Sequence, residues 1–379
     1  MYSDWFLKNS AAIDPVAQGL IEIPTKTSDA QYNYVYNGWQ EDFSNITAPL
    51  TVNAIFTNEL RDYPVYFYNG NILLQETREY YGTYATYNGD EALIKKYVGG
   101  EPSEYYEFAQ WSPSLSEPIT GYTVFYAEFV FDGYIDDTWE EIIENVNNGN
   151  LNTYGYGGRK VDEITYSYKG KSYTDTLEFE IIGKNHDILS EIDPNYNLGS
   201  PTAGLTFRTM LSATGVMNSG TKEWLGNPTL DGGGWALSDL RAWLNDGLNS
   251  ESFLKDLPII LQENIKSVKK LSDNGYYDYY ASIDKGSTPT FSLTETNDKI
   301  FIASAEELNA YRSTYTLEGQ GTPYTMFADD ASRKASNLYW TRSTGGKYGI
   351  HSFCVIDLDG RLSTNGGGNK NGIMIYFCI

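Results

Sequence analysis

Two histidines and two cysteines have the widest chemical reach in this 379-residue chain, and their settings do not add up to a catalytic centre. His186, in Lys184-Asn-His-Asp187, follows a strand-like run and reads as a hydrogen-bonded structural histidine. His351 and Cys354 stand three apart in a strand-like segment, so they would face opposite sides of a sheet and could not share a zinc ion. Cys354 and Cys378 fall on two terminal strand-like segments, where two buried thiols are the simplest reading and a neighbouring pair the alternative. No Gly-x-Ser-x-Gly elbow supports a serine nucleophile. Gly366-Gly-Gly-Asn-Lys-Asn-Gly372 lacks the Gly-Lys-Ser/Thr ending and the following helix of a phosphate loop. Asp357-x-Asp359-Gly360 is explained by an Asp-Gly hairpin turn more simply than by calcium. The pairs Glu140-Glu141 and Asp329-Asp330 give no usable spacing for a glycosidase, because that separation exists only in three dimensions. The expectation is a non-enzymatic chain with no catalytic residue, metal ligand or cofactor.

Binding chemistry has better support. Thr344-Gly-Gly-Lys-Tyr-Gly-Ile-His351 and Arg361-Leu-Ser-Thr-Asn-Gly-Gly-Gly-Asn-Lys-Asn371 are poor in packable apolar residues and rich in Gly, Asn, Ser, Thr and isolated cations. Both flank a hairpin expected from Ser352-Phe-Cys-Val-Ile-Asp-Leu358, the Asp359-Gly360 turn and Ile373-Met-Ile-Tyr-Phe-Cys-Ile379. Loops held at the end of a rigid sheet commonly carry recognition, the plainer alternative being a set of solvated turns.

Composition narrows the partner. The chain carries 27 Lys and Arg against 50 Asp and Glu, a formal charge of −23. Phosphate backbones and anionic lipid repel such a chain, so nucleic acid is excluded as an expected partner. Aromatics reach 15%, with 33 tyrosines, while charged residues are only 20%, which indicates a folded, strand-rich protein rather than a disordered acidic one. Met1-Tyr-Ser-Asp-Trp-Phe-Leu-Lys8 has no basic segment followed by an apolar run, and no stretch approaches about 18 uninterrupted apolar residues. No signal peptide and no membrane insertion are expected. Two cysteines make no disulfide framework.

The first third repeats. Tyr34-x-Tyr36-x-x-Trp39 recurs as Tyr106-x-Phe108-x-x-Trp111, Ile46 as Ile119, and Ala54-x-Phe56 as Ala127-x-Phe129, a period of about 72 residues with a one-residue slip. Between the copies, Tyr63-Pro-Val-Tyr-Phe-Tyr-Asn-Gly70 and the following Asn-Ile-Leu-Leu74 predict strand, turn and strand. Together with Asp14-Pro-Val-x-x-Gly-Leu-Ile-Glu-Ile-Pro-Thr-Lys26 and Tyr34-Val-Tyr-Asn-Gly-Trp39, these phrases resemble the internalin-B-type (Listeria–Bacteroides) repeat over about residues 10 to 132. That is a β-grasp-like module of surface proteins and of tail proteins of phages infecting Firmicutes. The first copy lacks the hairpin found at 63–75, so either the chain begins inside a longer protein or its N-terminal segment replaces that hairpin.

From Asp136 the period changes. Trp139, Ile142, Ile143 and Val146 share one helical face, with Thr138-x-x-Glu141 as capping box and Gly149 as stop. Strands are expected in Val161–Tyr168 and Thr176–Ile182. Further helices are expected over Ser238–Asn245, with Leu240, Trp243 and Leu244 inward, and over Pro258–Lys270, with Leu261, Ile265 and Val268 inward. A short one is expected to start at Ser304-Ala-Glu-Glu307. Trp235, Trp243 and Trp340 read as core. Arg342 would point to the same side as Trp340 and pair with a buried carboxylate such as Asp239 or Glu306. The sum is an α+β domain.

Gly233-Gly-Trp235, Ser238-Asp-Leu-Arg-Ala-Trp-Leu-Asn245, Asp256-Leu-Pro258, Lys299-Ile-Phe-Ile-Ala-Ser-Ala-Glu-Glu-Leu308, Tyr339-Trp-Thr-Arg-Ser343 and Tyr376-Phe-Cys-Ile379, in this order, resemble an uncharacterised C-terminal domain of Firmicute phage tail and surface proteins. Its organisation is similar to the C-type-lectin-like fold of formylglycine-generating enzymes. The calcium-binding triplets of that fold are absent. The resemblances imply a multidomain fold class: a partial β-grasp-like repeat at 1–57, a complete one at 58–132, and an α+β C-type-lectin-like domain at 133–379. They place the ligand face in the two loops, at Lys347, Tyr348, His351, Arg361, Asn365, Asn369, Lys370 and Asn371. The implied function is a phage virion adhesin, a tail-fibre or receptor-binding component that meets a host cell-surface protein or glycan outside the cell. It would assemble with other virion tail proteins, with a homotrimer or another multivalent fibre supplying avidity. The alternatives are a structural spacer of a longer exported bacterial protein and an enzyme acting on cell-wall glycan.

Overall fold

The computed structural model describes residues 2–131, 133–196, 201–224, 227–229, 232–245, 250–273, 293–311, 316, 318–345 and 352–379. It is mostly β, with several separate sheets and no barrel among the described residues. Two compact units emerge: Met1–Lys95 with Glu107–Val130, and Lys96–Tyr106 with Phe131–Ile379. No described helix is long and apolar enough to cross a membrane.

The first unit holds the two repeats. The first copy contributes β1 (Tyr32–Trp39) and β2 (Ala54–Leu60), an antiparallel pair. The second begins with β3 (Asp62–Asn69) and β4 (Ile72–Tyr80), joined through Gly70 at φ 56°. A small hairpin, β5 (Tyr97–Val98) and β6 (Glu101–Pro102), follows and belongs to the second unit. The copy is completed by β7 (Tyr106–Ser112) and β8 (Thr123–Phe131), giving a four-stranded sheet in the order β4-β3-β8-β7. β3 is central, parallel to β8 and antiparallel to β4. Its inward Val65 and Phe67 are fully buried among Ala85, Ile94, Trp111, Ile119 and Phe125.

The copies superpose in their hydrogen bonds. Asn9 N–H donates to the Ile46 carbonyl (2.8 Å) and Ile46 N–H to that of Ser10 (2.8 Å), as Gly82 donates to Ile119 (2.7 Å) and Ile119 to Thr83 (2.8 Å). The Ser10 hydroxyl caps the Leu7 carbonyl as Thr83 caps that of Tyr80. Asn9 and Gly82 both hold the left-handed conformation this turn requires, at φ 67° and 82°. Residues 7–12 thus follow the path of 80–85. Yet among the described residues of the first copy only Pro15 is buried. Tyr36, Trp39 and Phe56 meet edge to face and are half-buried.

In the second unit, α1 (Trp139–Asn147) starts at the expected capping box, with Thr138 and Glu141 bonded reciprocally, and Gly149 at φ 78° follows its end. The following strands are β9 (Arg159–Tyr168), β10 (Lys171–Lys184), β11 (Leu205–Gly215), β12 (Lys222–Trp224) and β13 (Asn227–Thr229). The helices α2 (Asp239–Leu244), α3 (Phe253–Asp256) and α4 (Ile259–Asn264) then precede β14 (Val268–Asp273), β15 (Leu293–Asp298) and β16 (Ile300–Phe301). The chain closes with β17 (Tyr339–Thr344), β18 (Ser352–Ile356), β19 (Leu362–Gly366) and β20 (Asn371–Cys378). The main sheet runs β19-β18-β17-β20-β11-β10-β9, with β16 also pairing β20. β20 is therefore covered on both faces and flanked on both edges, and all eight of its residues are buried, which is why its sequence is a continuous apolar run after Asn371 and Gly372. Trp235, Trp243 and Trp340 lie in the core as expected.

Several expectations need correction. The helix expected over Pro258–Lys270 stops at Asn264. The apolar spacing of Leu261, Ile265 and Val268 fits a helix, but from Val268 the backbone pairs with β15, and Lys270 is drawn into a buried ion network. At Ser304–Glu307 the capping bonds form around a single turn, without a helix, and Asn309 at φ 51° follows it. Residues 96–106 join the second unit, where Ser103 Oγ donates to the Tyr156 carbonyl (3.2 Å) and Lys184 pairs with Glu101 (3.6 Å). The two thiols are free and buried, as the simplest reading had it, and the alternative of a neighbouring pair fails because β17 separates their strands. His186 makes no hydrogen bond and instead stacks on Tyr324 with ring centroids 4.0 Å apart.

Candidate functional site

Polar side chains gather at two places in the second unit, one inside and one at the rim. Inside, Asp187, Lys270, Glu307 and Arg342 are each at most 3% exposed. Lys270 Nζ bridges Asp187 and Glu307, and Arg342 binds Glu307 through both terminal nitrogens. Arg342 also donates to the carbonyls of Leu271 (3.1 Å), Ile302 (3.0 Å) and Gln320 (2.5 Å). Its partner is thus Glu307, one position beyond the expected Glu306, while Asp239 pairs with Lys222. Thr206 and Tyr324 hydroxyls complete Asp187.

Burial alone would raise both carboxyls. The Lys270 ammonium, followed by the His186 ring with Nδ1 at 3.4 Å and the Lys270 hydrogen bond, outweighs that and holds Asp187 well below its ordinary value. Arg342 and Lys270 do the same for Glu307. Lys270 is pushed up, because the two carboxylates overcome its own burial. Two positive and two negative charges cancel, and every charge has a partner. Such a cluster is a scaffold: it pins β14, the Glu307 turn and β17 to one another.

The rim lies at the turn between β19 and β20. Asn365 Oδ1 accepts from Gly366 N–H (3.0 Å) and from Asn369 Nδ2 (2.5 Å), while Asn365 Nδ2 donates to Asn371 Oδ1 (3.0 Å). Asn369 N–H closes the turn on the Gly366 carbonyl (2.9 Å). Three of the expected residues are thus one bonded cluster, with the exposed Lys370 between Asn369 and Asn371. The turn is held from beneath, where Asn218 N–H donates to the Gly367 carbonyl (3.1 Å) and Asn218 Oδ1 accepts from Asp239 N–H at the start of α2 (2.9 Å). Asp239 in turn takes Ser219 N–H (2.7 Å) and Lys222. Asn371 is only 4% exposed, and its Nδ2 has no hydrogen-bond partner. A buried carboxamide donor without an acceptor costs about 1–3 kcal/mol.

Arg361 does not belong to this cluster. It stands at the other end of β19, beside the turn in which Asp357 Oδ1 accepts from Asp359 and Arg361 N–H (2.9 and 2.8 Å), and its guanidinium faces Asp330 and Asp359 at 3.7 and 3.8 Å. Lys347, Tyr348 and His351 lie outside the described residues. Asn218, Lys222 and Asp239 are site neighbours that sequence reasoning missed as a group. Their only signal was the adjacency of Met217-Asn-Ser219 and Ser238-Asp239 to turns in the sequence.

Residues 196–379 match a family model described as a domain of unknown function (DUF6273). The matched span contains the Asn365–Asn371 rim, Asn218, Lys222 and Asp239, and all of the interior cluster except Asp187. No curated protein and no solved structure matches the chain.

Proposed function

We propose that this chain is a non-enzymatic, receptor-binding adhesin of a phage tail, in which β-grasp-like repeats carry a C-type-lectin-like domain whose terminal turn meets a glycan or protein of the host cell surface. The single observation behind this reading is the Asn365–Asn369–Asn371 cluster, bonded internally and braced by Asn218, yet leaving the buried Asn371 Nδ2 without an acceptor. A ligand hydroxyl or carbonyl would supply that acceptor. Low affinity per site fits a fibre that multiplies contacts.

The test is binding of the purified chain, displayed on a multivalent carrier, to whole Firmicute cells and isolated wall glycans. Saturable binding that falls at least about tenfold in a folded Asn365→Ala, Asn369→Ala, Asn371→Ala variant supports the proposal. Equal binding by the variant, or none by either, contradicts it.

A further inference from the structure

We propose that the outer face of the second repeat docks a basic polypeptide segment, whose lysine or arginine side chains lie along a platform of four tyrosines. The inference is independent of the receptor reading. It starts from the pleat, since neighbours along a strand point to opposite faces of a sheet. Val65, Phe67 and Phe125 turn into the core, so Tyr66 and Tyr68 of β3 and Val124 and Tyr126 of β8 turn outward. The register aligns them in rows: Tyr68 stands between Leu73 and Tyr126, and Tyr66 between Glu76 and Val124.

The rings form one array. Tyr68 and Tyr126 stack with centroids 5.9 Å apart, and Tyr66 lies 6.4 Å from Tyr68 and 5.7 Å from Tyr122, which precedes β8. Tyr122 is 66% exposed, Tyr126 51% and Leu73 46%. A contiguous exposed patch of this kind marks an interaction surface.

Charge selects the occupant. The first unit holds five Lys and Arg against 15 Asp and Glu, a net −10. At the platform, Glu76 accepts the Tyr66 hydroxyl (3.3 Å) and Glu128, two positions beyond Tyr126, accepts from Gln110 (2.7 Å), while Arg78 is taken by Asp62 (2.5 Å). A second copy would set these carboxylates against their like. Elsewhere the chain covers tyrosines with its own cations: Lys26 lies over Tyr34 at 3.6 Å and Lys96 over Tyr106 at 3.7 Å. Among the described residues no cation covers any of the four platform rings. A cationic side chain from outside supplies what is missing: its stem packs on the rings, and its head meets their π faces and the two carboxylates. The 6.4 Å between Tyr66 and Tyr68 is close to the repeat of alternate side chains in an extended chain, about 6.4–6.8 Å. The segment is therefore extended, with its cations at every second residue.

A peptide of four Lys-Ser pairs, titrated into the full chain at about 0.15 M salt, tests the inference. Saturable binding is expected, with the ring resonances of Tyr66, Tyr68, Tyr122 and Tyr126 moving most and a Glu-Ser peptide not binding. A Tyr68→Ser, Tyr122→Ser, Tyr126→Ser variant keeps the charge and should bind at least about tenfold more weakly, while Tyr68→Phe, Tyr122→Phe, Tyr126→Phe keeps the faces and should bind as the unaltered chain does. If the serine variant does not fold, the map of shifts in the unaltered chain decides. No binding, equal binding by a folded serine variant, or shifts centred elsewhere overturns the proposal. Movement of these rings by a neutral glucan but not by the peptide, or self-association of the chain through them, overturns it as well, since the occupant would then be of another class.

Discussion

Asp187, Lys270, Glu307 and Arg342 in the interior and Asn365, Asn369 and Asn371 at the rim are both polar clusters braced from several elements, and they differ in closure. In the interior each charge has an opposite charge, and the guanidinium takes three further carbonyls. At the rim the cluster closes on itself except at one buried amide. A closed polar network specifies structure, and an open one beside a loop leaves a bond for a ligand to make. The interior therefore reads as framework, and the rim is the site we propose.

Removing one interior partner has the largest expected effect. Arg342→Met strands Glu307 in the core and should cost the second unit about 3–5 kcal/mol, measured by urea unfolding of the full chain. A loss below about 1 kcal/mol would break the comparison.

Acid is the next test. Asp187 and Glu307 have folded values held below their unfolded ones. The stability they add is complete above about pH 4 to 5 and is lost as pH falls through the folded values. Lys270 is raised, so its contribution is complete below its unfolded value of about 10.4 and is lost only as pH rises through the folded one. Asp187→Asn should flatten the acid limb of a stability–pH curve. An unchanged limb would show that the interior carboxylates do not control it.

The rim should behave oppositely. Asn371→Ala removes an unsatisfied donor along with one bond to Asn365, so stability should change by less than about 1 kcal/mol while receptor binding falls about tenfold. Parallel losses in both would make the rim framework as well. Smallest of all, Arg361→Ala, at the far end of β19 with ion-pair distances of 3.7 and 3.8 Å, should shift stability by less than about 0.5 kcal/mol and leave binding unchanged.

Local signals in the sequence identified the elements whose causes are local. The Thr138–Glu141 capping box, the inward Leu240, Trp243 and Leu244 of α2, and the Asp357–Gly360 turn each follow from side chains within a few residues. The end of α4 was not legible in this way. Lys270 joins a strand because Asp187 and Glu307, 83 and 37 residues away, neutralise it. Glu306 and Glu307 are likewise indistinguishable as neighbours in sequence. The turn at Ser304 directs Glu307 inward to Arg342, while Glu306 accepts from Gln320 N–H (2.6 Å). At the site, the amide-rich composition marked Asn365, Asn369 and Asn371, but Arg361 shared the segment without sharing the place, because β19 separates the two ends.

The side-chain amide signals of Asn365, Asn369 and Asn371, followed by nuclear magnetic resonance while isolated Firmicute wall glycan is titrated into the chain, test the central claim most directly. The account predicts saturable shifts at these amides, largest for Asn371 Nδ2, with the core amides still. Saturable binding that leaves all three unmoved would contradict it.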